Sequence, residues 1–486
     1  MEIRGEALRH DAASLYHFID SISAHCDERR ESPAYLEPSR NFFKYIRELG
    51  DATKSYVNDF VNSAPKDPRL YKVYREKLHL LSSSWSALHK YVKPAVDADT
   101  LSIPSPLVDS FIRRFRSIPR FNNAAFTVFH LHQLNYLQVR AGFVRALAKR
   151  LKSIVPGAEE FPPDLGMIGI PYSQSSSVYL NCLIPHEMGH FVFQELGKLQ
   201  DLLPEIEKSL HRALGTGDAA AGQKVLAALK PDEQAWCRNR IESWAEEIFC
   251  DLFALRMVGP CYSLAYIELF GLTTVLDPAV ASGRVLTQEF CEFSASHPAD
   301  LYRLKQHVML LEELGYESKG KKFTWWAELD KFQSHYVEVL KAARSISDHE
   351  FTSSFDQKWH QHFEETRKAF FGLADILRAT VNEVVGSLDS GLKGFRIFGP
   401  CIEEYLSNGV VPSTVLVGGH LCYPDPLAIL NASYKFYLES LDTLINRIQN
   451  QDSSSVGHRD RWIKRLELWT IKALEDHRLL KEQRKD

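Results

Sequence analysis

The chain has 486 residues, enough for two or three domains or for one large core with helical additions. Its 45% hydrophobic and 25% charged content is that of a globular protein and excludes a disordered or collagen-like chain. A formal charge of −4 lacks the strongly basic footprint that nucleic acid or an anionic membrane surface would call for.

The eight cysteines (Cys26, Cys182, Cys237, Cys250, Cys261, Cys291, Cys401 and Cys422) form no C-x-x-C pair. Their scatter predicts reduced, mostly buried thiols in a reducing compartment rather than a disulfide framework. Residues 1–10 carry no apolar core of a signal peptide, and no run approaches about eighteen uncharged apolar residues. The expectation is a soluble, cytoplasmic protein without a membrane span.

Residues 1–160 are expected to form an N-terminal helical region. Leu15, Phe18, Ile19 and Ile22 recur at helical spacing, and Phe126, Phe129, Leu134 and Leu137 are read the same way. Breaks fall at 31–33, 63–68 and 103–106, where proline and small polar residues gather. Near Phe161, Pro162 and Pro163 the pattern changes, and 166–171 (Gly-Met-Ile-Gly-Ile-Pro) reads as a short strand ended by proline. Ser175, Ser176 and Ser177 then offer caps for a helix. Pro185 either kinks that helix or marks the first turn of a new one, and Gly197 is its expected stop. Residues 201–232 read as helical, with an Ala-rich piece at 219–228. Beyond 315 helices return, broken at 318–322 and 451–457, with a short strand expected at 414–417. The predicted fold class is mainly α (α+β): a core at 161–315 with a small β element, enclosed by helical regions at 1–160 and 316–486. The last region could pack as one unit with the core.

The segment carrying most chemistry is His186-Glu187-Met188-Gly189-His190, an H-E-x-x-H pattern. On a helix, residues four apart share a face, so both imidazoles can address one metal ion. Glu187, beside the first histidine, is placed to take a proton from an activated water. Two histidines do not complete a catalytic zinc site, which uses three protein ligands and keeps a position for water. The apolar helix predicted around 241–254 supplies a candidate third ligand in Glu247. Asp251 lies one turn farther on the same face, where it can orient a ligand histidine. Glu242 and Glu246 are expected on another, solvated face.

H-E-x-x-H followed by E-x-x-x-D on a later helix resembles the gluzincin metallopeptidases. The block Ser294-Ala295-Ser296-His297-Pro298, followed by Arg303, is similar to the T/S-H-P…R segment of the HtpX-like and prenyl-protein endopeptidase branch. The resemblance spans about residues 165–315 and implies a zincin-like core. It also implies that His297 stands at the mouth of the site as an extra ligand or switch, and that Arg303 has a structural or substrate-contact role. Many members of that branch are embedded in membranes, whereas this chain has no predicted span, and its helical flanks match no family pattern.

Bland readings stand beside these. Asp251 could pair with an arginine, and Pro298 could open a helix before Leu301, Leu304 and Val308. His130 and His132, two apart on a predicted helix, read as core or surface residues. His420, Tyr423 and Tyr179 are further candidates for an oxyanion donor, with His297 placed first. The 418–426 segment that carries His420 and Tyr423 also reads as a turn-rich connection. Trp462, Leu466, Trp469 and Leu474 form a helical stripe that suits a core face better than a membrane.

The expectation is therefore a zinc metallopeptidase acting on a protein or peptide. It would hold one Zn²⁺ through His186, His190 and Glu247, with Glu187 and His297 as catalytic groups and Asp251 behind the ligands. The alternatives are a latent or inactive zinc-bound scaffold that binds a partner, and a zinc hydrolase of a non-peptide amide or ester.

Overall fold

The computed structural model describes residues 2–31, 37–62, 68–97, 104–131, 137–139, 141–156, 165–171, 174, 176–195, 197–269, 288–316, 335–353, 355, 357–386, 388–389, 391–449 and 456–483. Helix dominates throughout, as composition and periodicity predict. The backbone divides into two units, Met1–Ser176 and Ser177–Asp486. The sequence regions at 161–315 and 316–486 thus fall mostly within the second unit, and the strand expected at 166–171 falls in the first.

In the first unit, α1 (Glu2–Glu31), α2 (Glu37–Asn62) and α3 (Pro68–Asp97) pack around Ile19, Phe42, Phe43, Ile46, Val57, Trp85 and Leu88. The buried indole of Trp85 donates to Thr53 Oγ1 at 3.2 Å, which satisfies two polar groups inside this core. Helix α4 (Ser105–Arg116) buries Leu107, Val108, Phe111, Ile112 and Phe115 along one stripe, and α5 (Ala141–Ile154) packs on α3.

A three-stranded sheet completes this unit. Strand β3 (Leu165–Pro171) lies between β1 (Ala125–Leu131), to which it runs parallel, and β2 (Leu137–Val139), to which it runs antiparallel. Met167, Ile168 and Ile170 are fully buried, as expected of a central strand covered on both faces. This corrects the helical reading of 126–137. Phe126 and Phe129 belong to β1 and Leu137 to β2, while Leu134 lies outside the described residues. Apolar spacing of three suggested a helix, but Phe-Thr-Val-Phe is rich in aromatic and β-branched residues and finds its ladder about forty residues away in β3. His130 is likewise a strand residue, and His132 lies outside the described residues.

The second unit is built around a long helix, α9 (Pro231–Val258). It is preceded by α6 (Ile184–Glu195), α7 (Lys198–Leu214) and α8 (Ala219–Ala228), and followed by α10 (Pro260–Leu269) and α11 (Asp300–Glu313). Pro185 sits in the first turn of α6, and Gly197 adopts φ 59° just beyond its end, so both boundary signals act as expected. Helix α9 touches α6, α7, α10, α11 and the helices Gln357–Phe371 and Ala374–Val385. Its apolar residues accordingly surround it instead of forming a single stripe.

One glycine decides how closely the two central helices meet. A Cβ on Gly189 would stand 2.8 Å from Cys250 Cα, so only glycine allows α6 to approach the α9 backbone at this point. Asn431, on the helix Pro426–Glu439, fixes the start of α10. Its amide donates to the carbonyls of Val258 and Leu427, both at 2.9 Å, and its Oδ1 accepts from Cys261 N–H at 3.1 Å.

Two small ribbons decorate this unit. Strand β4 (Glu292–Phe293) pairs in parallel with β5 (Thr352–Ser353), and β6 (Val415–Val417) forms a hairpin with β7 (His420–Cys422). Gly418 and Gly419 take φ of 57° and 83°, as a two-residue hairpin turn requires. Trp462, Leu466 and Leu474 are buried, so the stripe on Val456–Gln483 faces the core. The eight cysteines are unbridged, six of them buried. Among the described residues no helix is long and apolar enough to cross a membrane.

Candidate metal centre

Helix α6 presents His186 and His190 on one face, their ring centroids 4.9 Å apart. Helix α9 meets this face in the opposite direction. His186 pairs with Asp251, both histidines face Glu247, and His190 and Gln194 reach Glu246. All these residues belong to the second unit.

The two nitrogens of each imidazole are used differently. His186 Nδ1 lies 2.9 Å from Asp251 Oδ1, and His190 Nδ1 lies 2.9 Å from Glu246 Oε1. Both Nε2 atoms turn toward Glu247. His186 Nε2 is 3.5 Å from its Oε2, and His190 Nε2 is 3.6 Å from its Oε1. Donors bound tetrahedrally at about 2.0–2.2 Å from a zinc ion stand ~3.3–3.5 Å from one another, so these separations fit a coordination sphere. In a neutral ring these carboxylates would favour the proton on Nδ1 and so leave Nε2 for a metal.

A second grouping shares the same histidines. Donor atoms of His186, Glu187 and His190 all lie within 4.8 Å of one another. Glu247 faces the same pair from α9, one carboxylate oxygen toward each Nε2 atom. Glu187, only 6% exposed, stays beside the pair as a carboxylate within reach of the same space.

Behind Glu247 the wall is polar and closed. Arg303, on α11, donates through Nε to Asp251 Oδ2 and through Nη2 to Oδ1, both at 2.7 Å, and Nη2 stands 3.3 Å from Glu247 Oε2. The guanidinium also lies over the Tyr266 ring, 4.9 Å from its centroid. The Tyr262 hydroxyl, from α10, donates to Asp251 Oδ1 at 2.5 Å and lies 3.1 Å from His186 Nδ1. His307 Nε2 lies 3.3 Å from Asp251 Oδ2, off hydrogen-bond alignment, and burial lowers the pKa of its ring. The bland reading of Asp251, a partner for an arginine, and the sharper one, a partner for His186, therefore hold together.

His297 stands on the exposed side of the site. Its side chain is 48% exposed, and Nε2 lies 3.7 Å from Glu247 Oε1. Ser296 Oγ meets its Nδ1 at 2.7 Å, and Trp244 Nε1 ties the loop to α9 by donating to the Ser294 carbonyl at 3.0 Å.

These neighbours shape the electrostatics. Burial pushes the His186 imidazole down, but its bonds to Asp251 and Glu247 override this and lift it to about 10. His190 is raised for the same reason, through Glu246 and the charge of Glu247. Burial would raise Glu247 and Asp251, yet both lie below the ordinary carboxylate range. The His186 bond and the Arg303 charge hold Glu247 down, and Arg303 foremost holds Asp251. Glu187, Glu246, Glu247 and Asp251 form a strongly anionic lining around one permanent cation, Arg303. A divalent ion would offset most of this negative charge with the histidines neutral.

The site thus gathers His186, Glu187, His190, Glu247, Asp251, His297 and Arg303 in one place. Sequence reasoning placed Glu246 only on a solvated face, whereas its partly exposed carboxylate also holds His190. It also missed Tyr262, His307 and the spacing role of Gly189. A search for a partner to the second histidine's free nitrogen would have pointed to Glu246, because adjacent residues on α9 are only about 100° apart around the helix. The other oxyanion candidates lie on other elements. Tyr179 is buried, stacked on Tyr434 and Tyr437, with its hydroxyl 3.4 Å from the Ser433 carbonyl. His420 and Tyr423 lie on and just beyond the β6–β7 hairpin, which packs on Leu392–Ser407. Comparison with protein-family models, with curated proteins and with solved structures found no match.

Proposed function

We propose that this chain is a zinc-dependent metallopeptidase with a zincin-like core, acting on a protein or peptide substrate. The observation that carries this reading is the paired orientation of His186 and His190. Each turns Nδ1 to a carboxylate, and the two Nε2 atoms meet opposite oxygens of Glu247 at 3.5 and 3.6 Å. The sequence order H-E-x-x-H, E-x-x-x-D and S-H-P…R, which resembles the HtpX-like and prenyl-protein endopeptidase branch, supports the same conclusion.

His186, His190 and Glu247 would hold the ion. When bound, zinc polarises the scissile carbonyl and acidifies water. Glu187 takes the proton of the attacking water and delivers it to the leaving amine, so that one carboxylate serves as base and then acid. Asp251 and Glu246 keep the histidine rings turned toward the ion. His297, at the exposed side, donates a hydrogen bond to the developing oxyanion.

The test is Glu187→Gln, which keeps a side chain of the same shape but cannot accept the proton. Zinc content should match wild type, and comparison of cellular peptide termini should show cleavages present only with wild type. Equal termini in the two samples would argue against proteolysis. One observation favours a second reading, a latent zinc-bound scaffold. His297 Nε2 lies 3.7 Å from Glu247 Oε1, close to the spacing of the other two imidazoles, so this histidine could fill the position that water needs.

A further inference from the structure

The two histidines are supported unequally. Behind His186, Asp251 is fully buried and gripped by Arg303 through both of its oxygens. Tyr262 closes the arrangement. Its hydroxyl donates to the Oδ1 that faces His186, and its ring lies within 6° of parallel to the imidazole at a centroid distance of 6.2 Å. The His186 Nδ1–H therefore has two oxygens before it, Asp251 Oδ1 at 2.9 Å and Tyr262 Oη at 3.1 Å. Tyr262 is itself fixed, because Asn431 anchors the adjacent Cys261 N–H and with it the first turn of α10. Behind His190 the support is thinner. Glu246 keeps a side chain 23% exposed, and one oxygen, Oε1, receives both His190 Nδ1 and the amide of the exposed Gln194 at 3.3 Å.

We propose that Tyr262 is a positioning residue that makes His186 the anchored half of the metal site, leaving His190 as the half through which the ion is gained and lost. This rests on the zinc reading above. A phenol that saturates Asp251 prevents the carboxylate from rotating away from the ring. The imidazole then meets an ion with its orientation already fixed, which lowers the ordering cost of binding. On the His190 side, water competes for Glu246, and the ring can swing with it.

The experiment measures zinc affinity and zinc release with a chromophoric chelator for wild type, Tyr262→Phe and Gln194→Ala, alongside the thermal midpoint of each metal-free protein. Loss of an oriented partner behind a ligand weakens metal binding by about 10–100-fold. Tyr262→Phe should fall in that range with faster release, while Gln194→Ala should stay within about threefold of wild type. A Tyr262→Phe protein that retains wild-type affinity, or a Gln194→Ala protein that loses more, overturns the inference. A wild type that takes up no zinc overturns the zinc reading itself. A measurement on wild type alone guards against a variant that fails to fold. With ¹⁵N-labelled histidine in the zinc-loaded protein, the His186 Nδ1–H signal should persist against exchange with water while that of His190 is lost. Equal exchange at the two rings contradicts the asymmetry.

Discussion

His190 touches two neighbouring carboxylates with its two ring nitrogens. Nδ1 lies 2.9 Å from Glu246, and Nε2 lies 3.6 Å from Glu247. Adjacent residues of α9 thus divide two tasks, one orienting the ring and the other sharing the space it points into. The division depends on α6 lying close against α9, which Gly189 permits.

Gly189→Ala should therefore damage both fold and site. Its new methyl would meet backbone and side-chain atoms of Cys250 at 2.8–3.3 Å, neither of which can step aside without moving the helices. Overpacking of this kind costs about 1–3 kcal/mol. Calorimetry should show a lower unfolding midpoint, and zinc affinity should fall with it. A protein of wild-type midpoint and affinity would show that the close approach is not needed.

Metal uptake should release protons. The metal-free His186 is lifted to about 10 and His190 is raised too, so at neutral pH the ion must displace protons from the rings. Affinity should rise with pH, by about tenfold per pH unit for each proton released. For the metal-free fold the sign is reversed. A raised histidine stabilises fully below its unfolded value of about 6.5, and that stabilisation is lost as pH rises through about 10. Titration calorimetry in buffers of different ionisation enthalpy counts the protons directly, and a count of zero would contradict this account.

Arg303→Met should be strongly destabilising because it leaves Asp251 buried without its main counter-charge. Breaking one side of a buried ion pair costs about 3–5 kcal/mol. Asp251 is depressed by Arg303, so its contribution is complete above the ordinary value near ~3.9 and fades as pH falls below it. Chemical denaturation from pH 7 to 3 should show a loss of stability with acid in wild type that is smaller in Arg303→Met. Parallel curves for the two proteins would deny the pair that role.

His297→Ala separates an oxyanion donor from a fourth ligand. As a donor at the exposed side, it should leave zinc affinity within about threefold of wild type and lower turnover by about 10²-fold or more. A gain in activity accompanied by looser zinc would instead favour the latent reading.

How much was legible in the sequence follows from where each signal lies. His186, Glu187 and His190 sit within five residues, and Glu247 and Asp251 share a helical face, so local spacing was enough to nominate them. The strands at 125–131 and 137–139 escaped because their partner, β3, is remote in sequence and the pairing outweighs local periodicity. Glu246 was assigned to solvent because a helix of 28 residues packed on many sides has no single polar face. Tyr262 and His307 come from two further helices, and only the tertiary packing brings them to Asp251.

The most direct measurement is anomalous scattering at the zinc edge from crystals of the purified protein. The account predicts one ion about 2.0–2.2 Å from His186 Nε2, His190 Nε2 and a Glu247 oxygen, with Glu187 unligated beside it. Anomalous density elsewhere, or a fully ordered site that takes up no zinc at saturating concentration, would contradict it.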